Sequence, residues 1–423
     1  MAERSTWGQG TALDALCLTA EALLANTSET ASLALAELVV RRYAELKSVE
    51  RRDFMMFLLR RLGPSREAVD LAIDRYRQDG SELSLTQLFQ AAEPRRQALF
   101  RNINSAPGGT WTVLNMRADI LDFLDEFPEL EPVEADLFHV LSSWFNRGFI
   151  TLQRINWESP GAVLERLIAY EAVHEIRGWD DLRRRLEADR RCFGFFHPAI
   201  PVEPLIFIEV ALTQGLAGNI QGVLDGPVRP VDSEPLVDTA TFYSITSCQE
   251  GLRGIQLGSF LIKQVVHELS AELPSLRLFA TLSPVPGFAR WLGKARGTGL
   301  FTSDEKATFR LLDDPMWYDS APALDELEPL LLQACAHYLV HIKRGVHPAD
   351  SVARFHLRNG ARLEQIDWLA DLSPKGLRES HGIMVNYVYD ESQVADNHEG
   401  YVHEGRVAHS DAVGGLLTHT SPL

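Results

Sequence analysis

Residues 239–266 read TATFYSITSCQEGLRGIQLGSFLIKQVV, and the change of texture along them decides the fold. The first nine are β-branched, aromatic or small, and predict a strand over 239–247. From Gly258 the apolar residues recur at Leu261, Val265, Leu269 and Leu273, with Ser259, Lys263 and His267 on the other face, which predicts a helix over 258–273. Gly251, Gly254 and Gly258 lie along this passage from strand to helix. Such a junction suits an anion, because unpaired N–H groups and the positive end of the helix dipole face it and glycine lets phosphate approach the backbone. The same glycines also make an ordinary turn, and the pattern alone leaves both open.

Working outward, the continuous apolar run 205–212 predicts a buried strand, 276–282 another and 384–389 a late one. Residues 149–155 form a linker or a first strand. A helix over 160–173 is expected to open with Ser159 as cap and Pro160 just inside. Alternating strand and helix predicts an α+β (mixed α/β) fold with a mixed sheet covered by helices. Before Arg147 the pattern is helical: Leu35, Val39, Tyr43 and Leu46 share a stripe, as do Phe54, Phe57, Leu58 and Leu62. Pro64 ends that helix, and Ser65 with Glu67 starts the next, through Val69, Ile73 and Tyr76 to the breaker Gly80. The expected division is a helical domain over 1–147 and a second domain over 148–423, with a polar tail of uncertain packing from Glu391.

At 423 residues the chain exceeds what one core usually covers. A formal charge of -17 argues against nucleic acid or an anionic membrane as partner, and an anionic ligand would need a local basic site. No run approaches the roughly 18 apolar residues of a membrane span. Cys17, Cys192, Cys248 and Cys335 show no metal-ligand spacing, and a reducing cytoplasm suits them. His337 and His341 fall on one helical face without a third ligand nearby, so no metal is expected. The closing Ser421-Pro422-Leu423 has proline where a peroxisomal address needs lysine, and reads as a polar tail.

Two further stretches carry chemistry. In FATLSPVPGFARWL, residues 279–292, Ser283 and Val285 each precede a proline, which holds both residues extended and aims the serine hydroxyl rigidly; a plain exit from a strand would look the same. In SVARFHLRNGARLEQIDWLAD, residues 351–371, His356 precedes the turn at Asn359 and Gly360, and a lone histidine there serves packing or catalysis.

Together and in order, these stretches, MVNYVYD at 384–390, and upstream SWFNRGFITLQRINWESP, YEAVH and HPAIPVEPLIFIEVAL resemble the malonyl-CoA decarboxylase family, most strongly from about Leu99 onward. The glycine stretch is also similar to the pyrophosphate loop of the CoA-dependent N-acetyltransferase superfamily. Arg253 takes the first place and Gly258 the last, but Gln256 stands where that superfamily has glycine. The resemblance implies an acetyltransferase-like second domain with a partly splayed sheet and a CoA site at Arg253, Gly254, Ile255, Leu257, Gly258 and Ser259. It places the family's serine and histidine on Ser283 and His356, its tyrosine on Tyr389 and its polar loop residue on Gln256. Asn386 is a further candidate for substrate contact, although three residues from Tyr389 it falls on the opposite face of a regular strand. Implied too are malonyl-CoA as substrate, acetyl-CoA as product, no cofactor, and a homo-oligomer, a tetramer, assembled through the helical domain.

Loss of CO2 from a malonyl thioester leaves an enolate, so the site needs donors at the thioester oxygen, a hold on the carboxylate and a proton for carbon. An N-acyltransferase is the enzymatic rival on fold alone, and acyl transfer to an amine without CO2 release would mark it. A serine hydrolase lacks support: there is no G-x-S-x-G elbow, and Pro284 has no N–H to offer an oxyanion after Ser283. A non-catalytic acyl-CoA-binding protein would bind without turnover.

Overall fold

The computed structural model describes residues 10–230, 237–255 and 258–417, and of 258–260 only the backbone. Two compact units divide the chain. The first takes Met1–Thr151 with Phe195–Leu205 and Ser247–Leu257, and the second Leu152–Gly194, Ile206–Thr246 and Gly258–Leu423.

The first unit is built on helices α1 (Ala12–Ala25), α2 (Glu29–Glu45), α3 (Ser48–Arg61), α4 (Arg66–Asp79), α5 (Glu82–Ala92), α6 (Arg95–Asn104), α7 (Gly109–Phe123) and α8 (Glu131–Trp144). Local chemistry sets their ends. Thr11 and Asp14 cap α1 reciprocally, Ser65 accepts the Ala68 N–H at the start of α4, and Gly80 closes α4 in the left-handed region at φ 59°. Phe54, Phe57, Leu58 and Leu62 are buried as their spacing predicts, and so are Val39, Tyr43 and Leu46, with Leu35 half-buried. The stripe expected on α4 is different: only Ala72 is buried there. Helices α4 and α5 pack on each other, yet Leu83 and Phe89 of α5 remain 69% and 72% exposed.

The chain continues, mostly in the second unit, with β1 (Thr151–Ile155), α9 (Gly161–Tyr170), α10 (Trp179–Arg185), β2 (Arg190–Phe196), β3 (Ile206–Thr213), α11 (Ile220–Leu224), β4 (Thr239–Ser247), α12 (Gly258–Glu272), β5 (Leu278–Thr281), β6 (Ser283–Pro284) and α13 (Phe288–Ala295). It ends with α14 (Ser303–Thr308), α15 (Ala321–His341), β7 (Lys343–Arg344), β8 (His347–Pro348), α16 (Ser351–Arg358), β9 (Arg362–Asp367), α17 (Pro374–Ser380), β10 (Met384–Val388), α18 (Val394–Glu404) and α19 (Asp411–Leu417). Helix α9 begins one residue later than its sequence suggests, because Ser159 accepts the Asn156 N–H instead of capping. It stops at Tyr170, where the Glu171 carboxylate takes the N–H groups of Val173 and His174.

The main sheet runs β1-β2-β3-β4-β5-β10, with β9 on β10. It is mixed, as expected: β4 and β5 are parallel from Thr239↔Leu278 to Phe242↔Thr281, whereas β10 is antiparallel to β5, β6 and β9. Strand β4 runs on to Ser247 after its last rung with β5 at Phe242, so the two strands part. Pairings Ala280↔Val388, Ser283↔Val385 and Pro284↔Met384 lie in one register, so β6 continues the β5 ladder on β10 across Leu282. Ala211, Ile220, Val223, Tyr243, Leu282, Ala370 and Met384 form a core cluster in this unit.

Two of the longer strands carry no clear sequence signal. In β2 every residue is buried, including Arg190 and Arg191, which are paired with Asp189 and Glu272. Strand β9, RLEQID, alternates incompletely. In the tail, whose packing the sequence leaves open, α18 and α19 form, Tyr401 stacks on His347 at 4.7 Å, and the Ser410 hydroxyl donates to the Glu364 carbonyl.

Candidate active site

Ser283 stands just past the last β4–β5 rung, where the strands part, with the prolines at 284 and 286 holding the chain extended. Its pairing with Val385 sets which face its side chain takes. His356 arrives on α16. Asp350 caps that helix by accepting the Val352 and Ala353 N–H groups, each at 2.9 Å, and the Arg354 guanidinium donates to the Pro348 and Ala349 carbonyls. After α16 the chain turns at Gly360, whose φ is 82° and where a Cβ would lie 2.2 Å from the Val394 carbonyl oxygen.

The three residues meet in one buried chain of hydrogen bonds. Ser283 Oγ lies 3.1 Å from His356 Nε2, and His356 Nδ1 lies 2.8 Å from Tyr389 Oη. Ser283, His356 and Tyr389 are 5%, 4% and 8% exposed. Burial pushes the imidazole pKa down to about 3 and raises that of the Tyr389 phenol, so both groups are held neutral. The Tyr387 ring stacks on His356 at 4.7 Å and 21°. A neutral imidazole beside a hydroxyl in a dry site can hold a carboxylate and pass a proton without presenting a fixed positive charge.

Asn386 goes elsewhere. Its amide donates to the Ala217 and Thr281 carbonyls at 3.0 and 2.8 Å, neither bond being to the Ser283–His356–Tyr389 chain. Arg253, Gly254 and Ile255 belong to the first unit. There Arg253 is exposed and makes a loose pair with Glu250 at 3.6 Å, and Gly254 has φ 83°. Gly251 of the same stretch is required by packing, since a Cβ would lie 2.2 Å from the Leu114 carbonyl oxygen. Gln256 and Leu257 lie outside the described residues, while Gly258 and Ser259 open α12. The His337 and His341 rings lie 5.2 Å apart on α15, tilted by 51°, and among the described residues no three His, Cys, Asp or Glu side chains could hold a metal.

Sequence reasoning missed Thr281 and Tyr387. Thr281 Oγ1 accepts from the Ser283 hydroxyl at 2.8 Å and from the Tyr387 N–H at 3.2 Å. Each stands two residues from a named candidate, so the strand period of two was the available signal.

The family models decide the assignment: a malonyl-CoA decarboxylase C-terminal domain matches residues 148–422, and a malonyl-CoA decarboxylase N-terminal domain matches 62–145. The chain belongs to the malonyl-CoA decarboxylase family. Mitochondrial malonyl-CoA decarboxylase of Mus musculus is 37% identical over 357 residues, covering 78% of this chain and 73% of the mouse protein. That of Anser anser anser is 37% identical over 347 residues, 76% and 69% of the two chains. The crystal structure of malonyl-CoA decarboxylase from Rhodopseudomonas palustris superposes with a TM-score of 0.90 at 44% identity, covering 96% of this chain and 99% of that one. The Agrobacterium vitis enzyme gives 0.91 at 45%, with the same coverage.

Proposed function

We propose that the chain decarboxylates malonyl-CoA to acetyl-CoA and CO2 through a thioester enolate, with Ser283 and His356 acting on the acyl group. The observation that carries this is the continuous Ser283–His356–Tyr389 chain, placed where β4 and β5 part, in a member of this family.

Ser283 and His356 hold the malonyl carboxylate out of the thioester plane. The bond from the methylene carbon to the carboxylate carbon breaks, its electron pair moves into the thioester carbonyl, and CO2 leaves. Backbone N–H groups near the parted strands stabilise the enolate oxygen. One proton then passes to carbon from the Ser283–His356 pair, with Tyr389 orienting the ring through Nδ1, and solvent restores it. Arg253, Gly254, Ile255, Leu257, Gly258 and Ser259 are assigned to the CoA moiety, and Gln256 to catalysis as the family's polar loop residue, on the resemblance to the family. No step calls for a metal, biotin or other cofactor.

Residues 1–147 are assigned to self-association, as a tetramer, in keeping with the exposed Leu83 and Phe89 of α5. A reducing compartment, the cytoplasm, suits four cysteines that are all thiols; the vertebrate relatives are mitochondrial by name. No helix of the described residues is long and apolar enough to cross a membrane.

Purified protein incubated with malonyl-CoA in D2O, without added metal, biotin or amine, should release CO2 and form acetyl-CoA carrying one deuterium in its methyl group. Release of CoA thiol without CO2 would refute the assignment, and so would acyl transfer to an amine supplied in a parallel reaction when neither reaction releases CO2.

A further inference from the structure

The geometry points to Thr281 as a positioning residue that sets the direction of every proton in the Ser283–His356–Tyr389 chain, so that His356 faces Ser283 with a protonated Nε2. The use of that chain in decarboxylation rests on the function proposed above; its proton order does not.

Thr281 ends β5 and is 1% exposed. Its Oγ1 is held from outside the chain by the Tyr387 N–H on the neighbouring strand, and its carbonyl accepts from the Asn386 amide. These contacts fix the oxygen in place with one lone pair taken, and the Ser283 hydroxyl donates to the other at 2.8 Å, so the Thr281 proton points away from Ser283.

A hydroxyl has one proton to give. Spent on Thr281, it leaves Ser283 Oγ with only lone pairs toward His356 Nε2, 3.1 Å away, so Nε2 must carry hydrogen. A neutral imidazole has one N–H, so Nδ1 is bare, and its 2.8 Å contact requires the Tyr389 phenol to donate. Burial keeps the ring neutral and the phenol protonated, in agreement. The protons run Tyr389 to His356 to Ser283 to Thr281. A serine hydrolase needs the reverse, with the serine proton on a bare Nε2. Thr281 thus favours the reaction that consumes a proton at carbon over one that activates the hydroxyl as a nucleophile.

The test uses full-length protein labelled with 15N-histidine, the His356 signals being assigned by their loss in His356→Asn. Wild type should show a protonated Nε2 and a bare Nδ1. A protonated Nδ1 with bare Nε2 overturns the proposal, whether or not the protein decarboxylates malonyl-CoA. Thr281→Val, close in shape but without the hydroxyl, should shift the ring toward the other tautomer and lower kcat about 10- to 100-fold with KM within about threefold. Thr281→Ser should restore both. Unchanged kcat and tautomer in folded Thr281→Val, or in Thr281→Ala should valine fail to fold, would overturn it as well. Loss of CO2 release in wild type with the stated tautomer would instead count against the functional assignment alone.

Discussion

Helix α4 and strand β10 break the rule of apolar inside and polar outside in opposite directions. The helix buries only Ala72 of its fourteen residues, and Leu71 stands 53% exposed in solvent. The strand buries all five of its residues, among them Asn386 and Tyr387, whose Oδ1 and Oη find no hydrogen-bond partner. Each costs stability, since exposed leucine forgoes hydrophobic burial and a buried unpaired oxygen forgoes hydration. On the assignments made above, a second copy of the chain covers the helix and catalysis accounts for the polar interior around the strand.

The largest effect should come from the polar interior. Ser283→Ala and His356→Asn should lower kcat about 10³-fold, with little change in the dissociation constant for acetyl-CoA or in the urea midpoint. Equal losses in kcat and affinity would make the pair a binding feature.

Arg185 and Glu209 give the structural counterpart, an ion pair at 2.8 Å with both side chains almost fully buried. Arg185→Met leaves the carboxylate unpaired and should cost about 3–5 kcal/mol in urea unfolding, with kcat per folded molecule unchanged. A large fall in kcat would erase the distinction between structural and catalytic polar burial.

Acid should act through His356. Its folded pKa near 3 lies below the ordinary value of 6.5, so between these the unfolded chain takes up the proton first. Stability from this group is full above about pH 6.5 and lost as pH falls toward 3, at about 1.4 kcal/mol per pH unit. The slope of stability against pH should be shallower in His356→Asn, and kcat/KM should show no break near 6.5 from this residue.

Tyr387→Phe removes a buried hydroxyl without a partner and should raise stability by about 1 kcal/mol or leave it unchanged. A fall in kcat would mean that the substrate uses the hydroxyl. Smallest for the single chain, Leu83→Glu with Phe89→Glu should shift stability by no more than about 0.5 kcal/mol per change while reducing the assembly size in light scattering. An unchanged assembly would place the interface elsewhere.

Much of the fold was legible where local chemistry repeats. Strand β4 occupies the predicted residues 239–247, and α12 begins at the predicted Gly258. Strand β2 was not legible, because arginines in a sequence imply solvent until a carboxylate such as Asp189 or Glu272 is known to meet them. The α4 stripe misled for the converse reason: period identifies an apolar face, but the fold decides what covers it.

By itself the sequence determined what short-range sterics and periodicity control: a helical first part, a strand that turns through glycines into α12, and a serine held extended before proline. Only the tertiary structure decided that Ser283 meets His356 across 73 positions, that Tyr389 closes the chain, and that Thr281 anchors it. Those contacts depend on β10 lying beside β5 and on the register of that pairing. Strand order and register arise from packing of the whole domain, and a pattern with a period of two or 3.6 does not encode them.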